Sequence, residues 1–241
     1  MTIATFQSTV NISLGFGVVG ELIIDGPHRV EPLNLDLNGG QVGYVFTKNN
    51  STNVATQGGT IGNGVVFAGI LVNPKVYASF GPSSGNPIDP TLTLTGYTQA
   101  EFLQMGTIVG YLPATANIGD LITYNTTTGA LGSIQPYATF TGVVAVTTGV
   151  LTDSAVTSTG LINIGTNLNG TNVPYDTIIT SQLSGTTGGA GTYQTNITTA
   201  VASTAMTAGN NPPAGYALVP NAYVYRYPTT GAGLVAVRIT D

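Results

Sequence analysis

Side chains able to move protons, attack as nucleophiles or hold metal ions are scarce: ten Asp and Glu, five Lys and Arg, one His and no Cys in 241 residues. His28 stands between Pro27 and Arg29. A lone imidazole without a neighbouring nucleophile or second ligand makes no catalytic constellation, so it reads as a loop residue. Two carboxylate pairs, Asp25 with Glu31 and Asp89 with Glu101, would offer glycosidase-type acid and base chemistry if they met in space. Turn formation and capping account for the same residues without that chemistry. Asp120, Asp153 and Asp176 are candidates for a Ca²⁺ shell completed by loop carbonyls, yet no Asp-x-Asp cluster accompanies them. Gly15-Phe16-Gly17-Val18-Val19-Gly20 matches G-x-G-x-x-G, with Asp36 at about the distance of a ribose-binding acid. A dinucleotide site needs a helix after the glycines, whereas Glu21 to Asp25 runs straight into Gly26-Pro27 and leaves room only for a strand. With no thiol, cysteine nucleophiles, disulfides and thiolate zinc sites are excluded. The expectation is a chain that is not an enzyme, with no catalytic residue, cofactor or metal.

Binding is the chemistry that the remaining residues suit. Tyr216, Tyr223, Tyr225 and Tyr227 cluster around Arg226, and Tyr and Arg are the types enriched at interface hot spots. The alternative is that alternate tyrosines pack a barrel while the others face water. Phe6, Val10, Ile12 and Phe16 could anchor an N-terminal arm on a neighbour, and Arg29 is a further contact candidate.

The elements that must position these residues read as all-β. Met1 to Leu14 alternates weakly and suits an extended arm. Val42 to Thr47 and Gly64 to Val72 read as strands, the segment to Phe80 adds another, and the stretch from there to Pro90 reads as an exposed excursion. Tyr97 to Met105 is the best helix candidate, because Thr98-Gln99-Ala100-Glu101 fits a capping box and Phe102-Leu103 supplies an apolar side. From Gly106 to Ile134 period two prevails, with Ile108, Gly110 and Leu112 on one strand, a turn at Pro113 to Asn117, Gly119-Asp120 where a tight turn would want both and a second turn at Thr128-Gly129, so a β-meander is expected. The same style returns at Gly215, with strands at Tyr216 to Val219, Ala222 to Tyr227 and Leu234 to Ile239. Between them, 138–207 is rich in Thr, Gly, Ser and Asn, with six short strands expected about ten residues apart, including Leu161 to Leu168. The sequence thus predicts a discontinuous β core, 1–137 and 208–241, of barrel or sandwich type, carrying an inserted small β domain at 138–207.

Composition narrows the partners. Charged residues make up 6% of the chain against about 25% in an ordinary soluble domain. Between Asp176 and Arg226 there is no Asp, Glu, Lys, Arg or His. A formal charge of -5 argues against a nucleic-acid partner, which would require phosphate neutralisation. No apolar run reaches the roughly 18 residues of a membrane helix, and the N-terminus lacks a basic n-region, so no membrane partner and synthesis in a host cytoplasm are expected.

Residues Gly17-Val18-Val19-Gly20-Glu21-Leu22-Ile23-Ile24-Asp25-Gly26-Pro27-His28-Arg29-Val30-Glu31-Pro32, followed by the meander with Ile118-Gly119-Asp120-Leu121 and the Tyr-rich C-terminal strand, resemble capsid cement (decoration) proteins of tailed bacteriophages. Ser181 to Tyr193, with Val201-Ala202-Ser203-Thr204, is similar to a module that recurs in phage structural proteins. The resemblance implies a virion subunit, trimeric, bound to the capsid exterior and contacting the major capsid protein. An alternative that the insert keeps open is a tail or fibre component with a receptor-binding or spacer domain, which copy number per particle would separate.

Overall fold

The structure is a computed structural model in which residues 17–74, 93–156 and 161–241 are described. The expected arm, with Phe6, Val10 and Ile12, lies outside these residues, as do Phe16 and the strand expected at Val76 to Phe80. In chain order the strands are β1 (Leu22–Ile23), β2 (Arg29–Leu35), β3 (Gly40–Gln41), β4 (Val45–Asn49), β5 (Val54–Gln57), β6 (Val65–Leu71), β7 (Thr93–Leu94), β8 (Gln99–Leu112), β9 (Leu121–Asn125) and β10 (Leu131–Ile134). They continue with β11 (Tyr137–Val144), β12 (Val150–Val156), β13 (Leu161–Ile162), β14 (Asn169–Gly170), β15 (Ile179–Gly185), β16 (Gly191–Thr195), β17 (Val201–Asn211), β18 (Tyr216–Arg226) and β19 (Gly233–Ile239). No helix occurs among the described residues, and the fold is all-β.

One sheet has the order β10-β9-β18-β19-β8-β2-β5-β4-β6, with β1 added to β8. Because β6 pairs with both β4 and β8, the run β8-β2-β5-β4-β6 closes into a small barrel. All of its pairings are antiparallel except β2 with β5. β8 belongs to two structures at once: Gln99 to Met105 pair with β2 inside the barrel, while Gly106 to Leu112 pair with β19 in the open part. Gly106 is the joint. Its φ is +129°, and a β-carbon there would lie 2.9 Å from Cβ of His28 and 3.2 Å from Cδ1 of Leu103, so only glycine fits without displacement.

This dual membership explains why the sequence misleads at Tyr97 to Met105, where no helix forms: Tyr97 lies in a turn and Gln99 to Met105 are strand. Ala100 and Phe102 point into the barrel with Leu33, Leu35, Phe46, Ala55 and Ala68. Leu103 points to the opposite side, into a second core shared with Ile108, Leu112, Ile122, Tyr124, Val235 and Val237. A strand buried on both faces carries adjacent apolar residues, and the pair Phe102-Leu103 then imitates a helical stripe. The rejected dinucleotide motif behaves as read: Gly20 turns at φ +79°, donates its N–H to the Val109 carbonyl at 2.8 Å, and the chain enters β1.

The expected meander is only half realised: β9 and β10 form an antiparallel hairpin, but the end of β8 pairs with β19, and β18 and β19 come between β8 and β9, because the two C-terminal strands insert there. Tyr216 to Val219 and Ala222 to Tyr227 are not two strands. They form the single β18, whose register against β9 jumps between Leu218 and Tyr223.

Residues 137–211 build a separate sheet, β13-β17-β11-β12-β16-β15, with β14 on β17. β11 alternates strictly, with Ala138, Phe140, Gly142 and Val144 buried and the intervening residues exposed. Ala138, Phe140 and Val144 enter a third core with Leu151, Tyr193 and Met206. The strand expected over Leu161 to Leu168 is reduced to β13 and a bridge at Asn167 to Ile178. Thr166 is one reason: its hydroxyl donates to Asn163 O at 2.7 Å and closes a local turn.

Candidate functional site

The outer side of the open sheet gathers a set of polar and aromatic residues from four strands. Thr107 on β8 pairs with Arg238 on β19, which in turn pairs with Tyr223 on β18, and Ile23 of β1 lies against Thr107 on the other side. Asp25 follows β1 in a turn closed by its N–H to the Ile23 carbonyl. The Asp25 carboxylate accepts from Thr107 Oγ1 at 2.9 Å and from Arg238 Nη2 at 2.6 Å. Arg226 Nη2 stands 3.9 Å from the same Asp25 oxygen that Arg238 engages.

Tyr225 is the extra residue of a bulge in β18, where Val224 faces Val237 but Arg226 faces Ala236. A bulge re-aims the side chains that follow it. Here the guanidinium of Arg226 comes 4.5 Å from the Tyr225 ring centre and donates to the Tyr225 hydroxyl at 2.8 Å. Arg238 lies over the same ring at 3.5 Å, and Tyr223 meets Tyr225 edge to face at 6.4 Å. Cations over an aromatic face are attracted by its quadrupole, by about 0.5–1 kcal/mol at exposed sites.

Electrostatics around Asp25 have a definite direction. Burial pushes its carboxyl upward, but the hydrogen bonds from Thr107 and Arg238 and the charges of Arg238 and Arg226 outweigh burial, and the carboxyl is held below its ordinary value. Asp25 largely neutralises Arg238, whose side chain is 25% exposed, while Arg226 remains 50% exposed and loosely paired.

A second network continues along β2 and β8. Glu31 accepts from Lys48 Nζ at 2.5 Å and from Gln104, which also accepts from Arg29 Nε at 3.1 Å. Arg29 reaches the Asp241 carboxylate at 3.4 Å, a fully surface contact. Every described Lys and Arg therefore lies on one of these two networks.

Of the residues singled out by sequence, Tyr223, Tyr225 and Arg226 are brought together, Arg29 belongs to the second network, and Tyr227 closes β18 at φ +61°, 46% exposed. Sequence reasoning missed Asp25 as an ion-pair partner, and missed Thr107 and Arg238 altogether. The one signal available was the rarity of cations, which makes each Arg worth a partner search.

Most of the described carboxylates considered for chemistry are engaged otherwise. Asp25 and Glu31 each face a cation instead of each other. Asp89 lies outside the described residues. Asp120 is buried and caps its own turn by accepting from Asn117 N–H at 2.8 Å. Asp176 sits in a turn at φ +59°, and Asp153 is buried in the second sheet, where burial and its charge together push the Tyr193 phenol up. Among the described residues no group of three or more His, Asp or Glu is placed to hold a metal ion. A groove of about 490 Å³ does exist, lined by Leu22, Ile24, Pro32, Val72 and Leu94 with Glu101 on its wall.

An all-β chain with this arrangement matches, over residues 6–169, the phage family of structural cement proteins described by E217 gp24 and Pam3 gp6. The chain belongs to that family. The match spans the barrel, the joint at Gly106, β9 and β10, and it runs into the second sheet as far as β14. No curated protein matches the chain. A phage cement protein is a structural component of the virion that associates with the capsid, and this sets the class of partner for the surface just described.

Proposed function

We propose that this cement protein coats the outside of a tailed-phage capsid as a homotrimer, contacts the major capsid protein and stabilises the shell. The observation that carries the reading is the family match over residues 6–169. Two physical features support it. A chain with only 6% charged residues allows copies to stand close together with little like-charge repulsion. The Tyr223, Tyr225 and Arg226 cluster is of the composition that anchors protein interfaces. A contact of standard size buries roughly 1,600 Å² in total, and repetition around a shell adds avidity without requiring any single contact to be tight. Arg29, Tyr223, Tyr225, Arg226 and Tyr227 are the proposed contact residues, with Phe6, Val10 and Ile12 of the arm and Phe16 just after it.

Residues 138–207 are the proposed inserted domain. In support, β10 and β18 flank β9 in the first sheet, so that sheet requires nothing from the intervening chain. Ala138 and Ala208 are directly paired, and the segment therefore leaves and returns at one place.

The test mixes purified protein with expanded capsids that lack it. Co-sedimentation with the shell and a higher disruption temperature are expected. Failure to co-sediment at every ionic strength, or a stoichiometry of only a few copies per particle, would overturn the reading.

A further inference from the structure

The charges of the described residues are divided between surfaces. Arg29, Lys48, Arg226 and Arg238 sit on the two networks with Asp25, Glu31 and Asp241, whereas Glu21, Asp36, Glu101, Asp120, Asp153 and Asp176 lie elsewhere. Among those acids most have local work. Glu21 accepts from Val18 N–H, Asp36 from Asn38 N–H, and Asp120 and Asp153 are buried. Glu101 differs. It is exposed, no hydrogen bond or ion pair engages its carboxylate among the described residues, and it borders an apolar groove whose rim includes Ile24, 77% exposed.

Arg226 offers the complementary features. Its guanidinium is half exposed, held in place by the Tyr225 ring and hydroxyl, and left with surplus positive charge because Arg238 takes the closer contact with Asp25. Tyr227 stands beside it, held in the left-handed region at φ +61°. An aromatic side chain and a preorganised arginine are what an apolar groove with a single carboxylate accepts.

We propose that Arg226 and Tyr227 of one copy dock at the groove of a second copy, with the guanidinium on Glu101 and the tyrosine ring against Leu22, Ile24 and Pro32. Repeated by the same rotation about a threefold axis, the contact closes a ring of three. This rests on the trimer reading above and names its contact. The ion pair at its rim weakens with salt, because exposed charges are screened within about 8 Å at physiological ionic strength.

Sedimentation velocity on the full chain tests it. Wild-type protein forms a closed oligomer whose dissociation constant rises with salt. Arg226→Glu and Glu101→Arg each raise that constant roughly thirtyfold or more, and the double variant recovers most of the loss. Circular dichroism checks folding, and if Arg226→Glu fails to fold, the exposed Glu101→Arg carries the test by itself. Wild-type protein that stays monomeric at all concentrations, or single variants that associate like wild type, would overturn the contact. Measuring shell binding in parallel separates the two readings: a monomer that coats capsids removes this contact and leaves the capsid role, whereas an oligomer rescued by the charge swap that ignores capsids keeps the contact and removes the capsid role.

Discussion

Asp25 shows how few residues set the local electrostatics here. Its partners lie 82 and 213 positions along the chain, at Thr107 and Arg238, and no local pattern in the sequence announces either. That Tyr223, Tyr225 and Arg226 gather was legible, because they crowd one short segment of a single strand. The bulge that turns Arg226 onto Tyr225 was not, because it depends on the register against β19. A carboxyl lowered on folding contributes stability that is present above its unfolded value, near about 3.9, and lost as pH falls through the lowered one. Asp25→Asn is therefore expected to be less stable than wild type at neutral pH, and the difference should shrink as pH drops below about 4. Urea melts across a pH series check this. A constant difference down to strong acid would count against the ion-pair account.

At the scale of elements, most strands were readable, including β4 and β6, which are buried on both faces but rich in β-branched and aromatic residues, and β8 was the exception. β9, β10 and β11 alternate or lie between clear turns, so period two identified them. β8 was taken for a helix at its start because it serves two cores. The neck of the second sheet depends on one side chain. Asn210, 5% exposed, donates to the Gln135 carbonyl at 2.9 Å and accepts from Leu161 N–H at 2.7 Å, tying β17 to β13 and to the chain entering β11. Asn210→Ala leaves both backbone groups unpaired, at about 1–3 kcal/mol each. Hydrogen exchange should speed up at Leu161 and Ile162 first, ahead of the amides of β8. Uniform acceleration across the chain would show that the neck is not a local unit.

For the whole molecule, the all-β class was legible from composition, turn chemistry and the absence of long helical periodicity. The closure of a five-stranded barrel through β6 was not, since it rests on pairings between distant segments. The proposed insert offers a test at this scale. Because Ala138 and Ala208 face each other, replacing 138–207 with a short Gly/Ser link should leave the remaining β core folded, with a cooperative melt and a β-type circular dichroism spectrum. A shortened chain that cannot fold would show that the second sheet is integral to the first.

The sharing of β8 has a mechanical consequence. Tension applied along this 14-residue strand loads its bonds to β2 and β19 in shear, so many must fail together. β10, by contrast, is held on one side only and peels from β9 one bond at a time. A lattice that swells from within would meet its stiffest resistance where the pull runs parallel to β8, and an optical-tweezer handle at either end of that strand should record the highest rupture force in the chain.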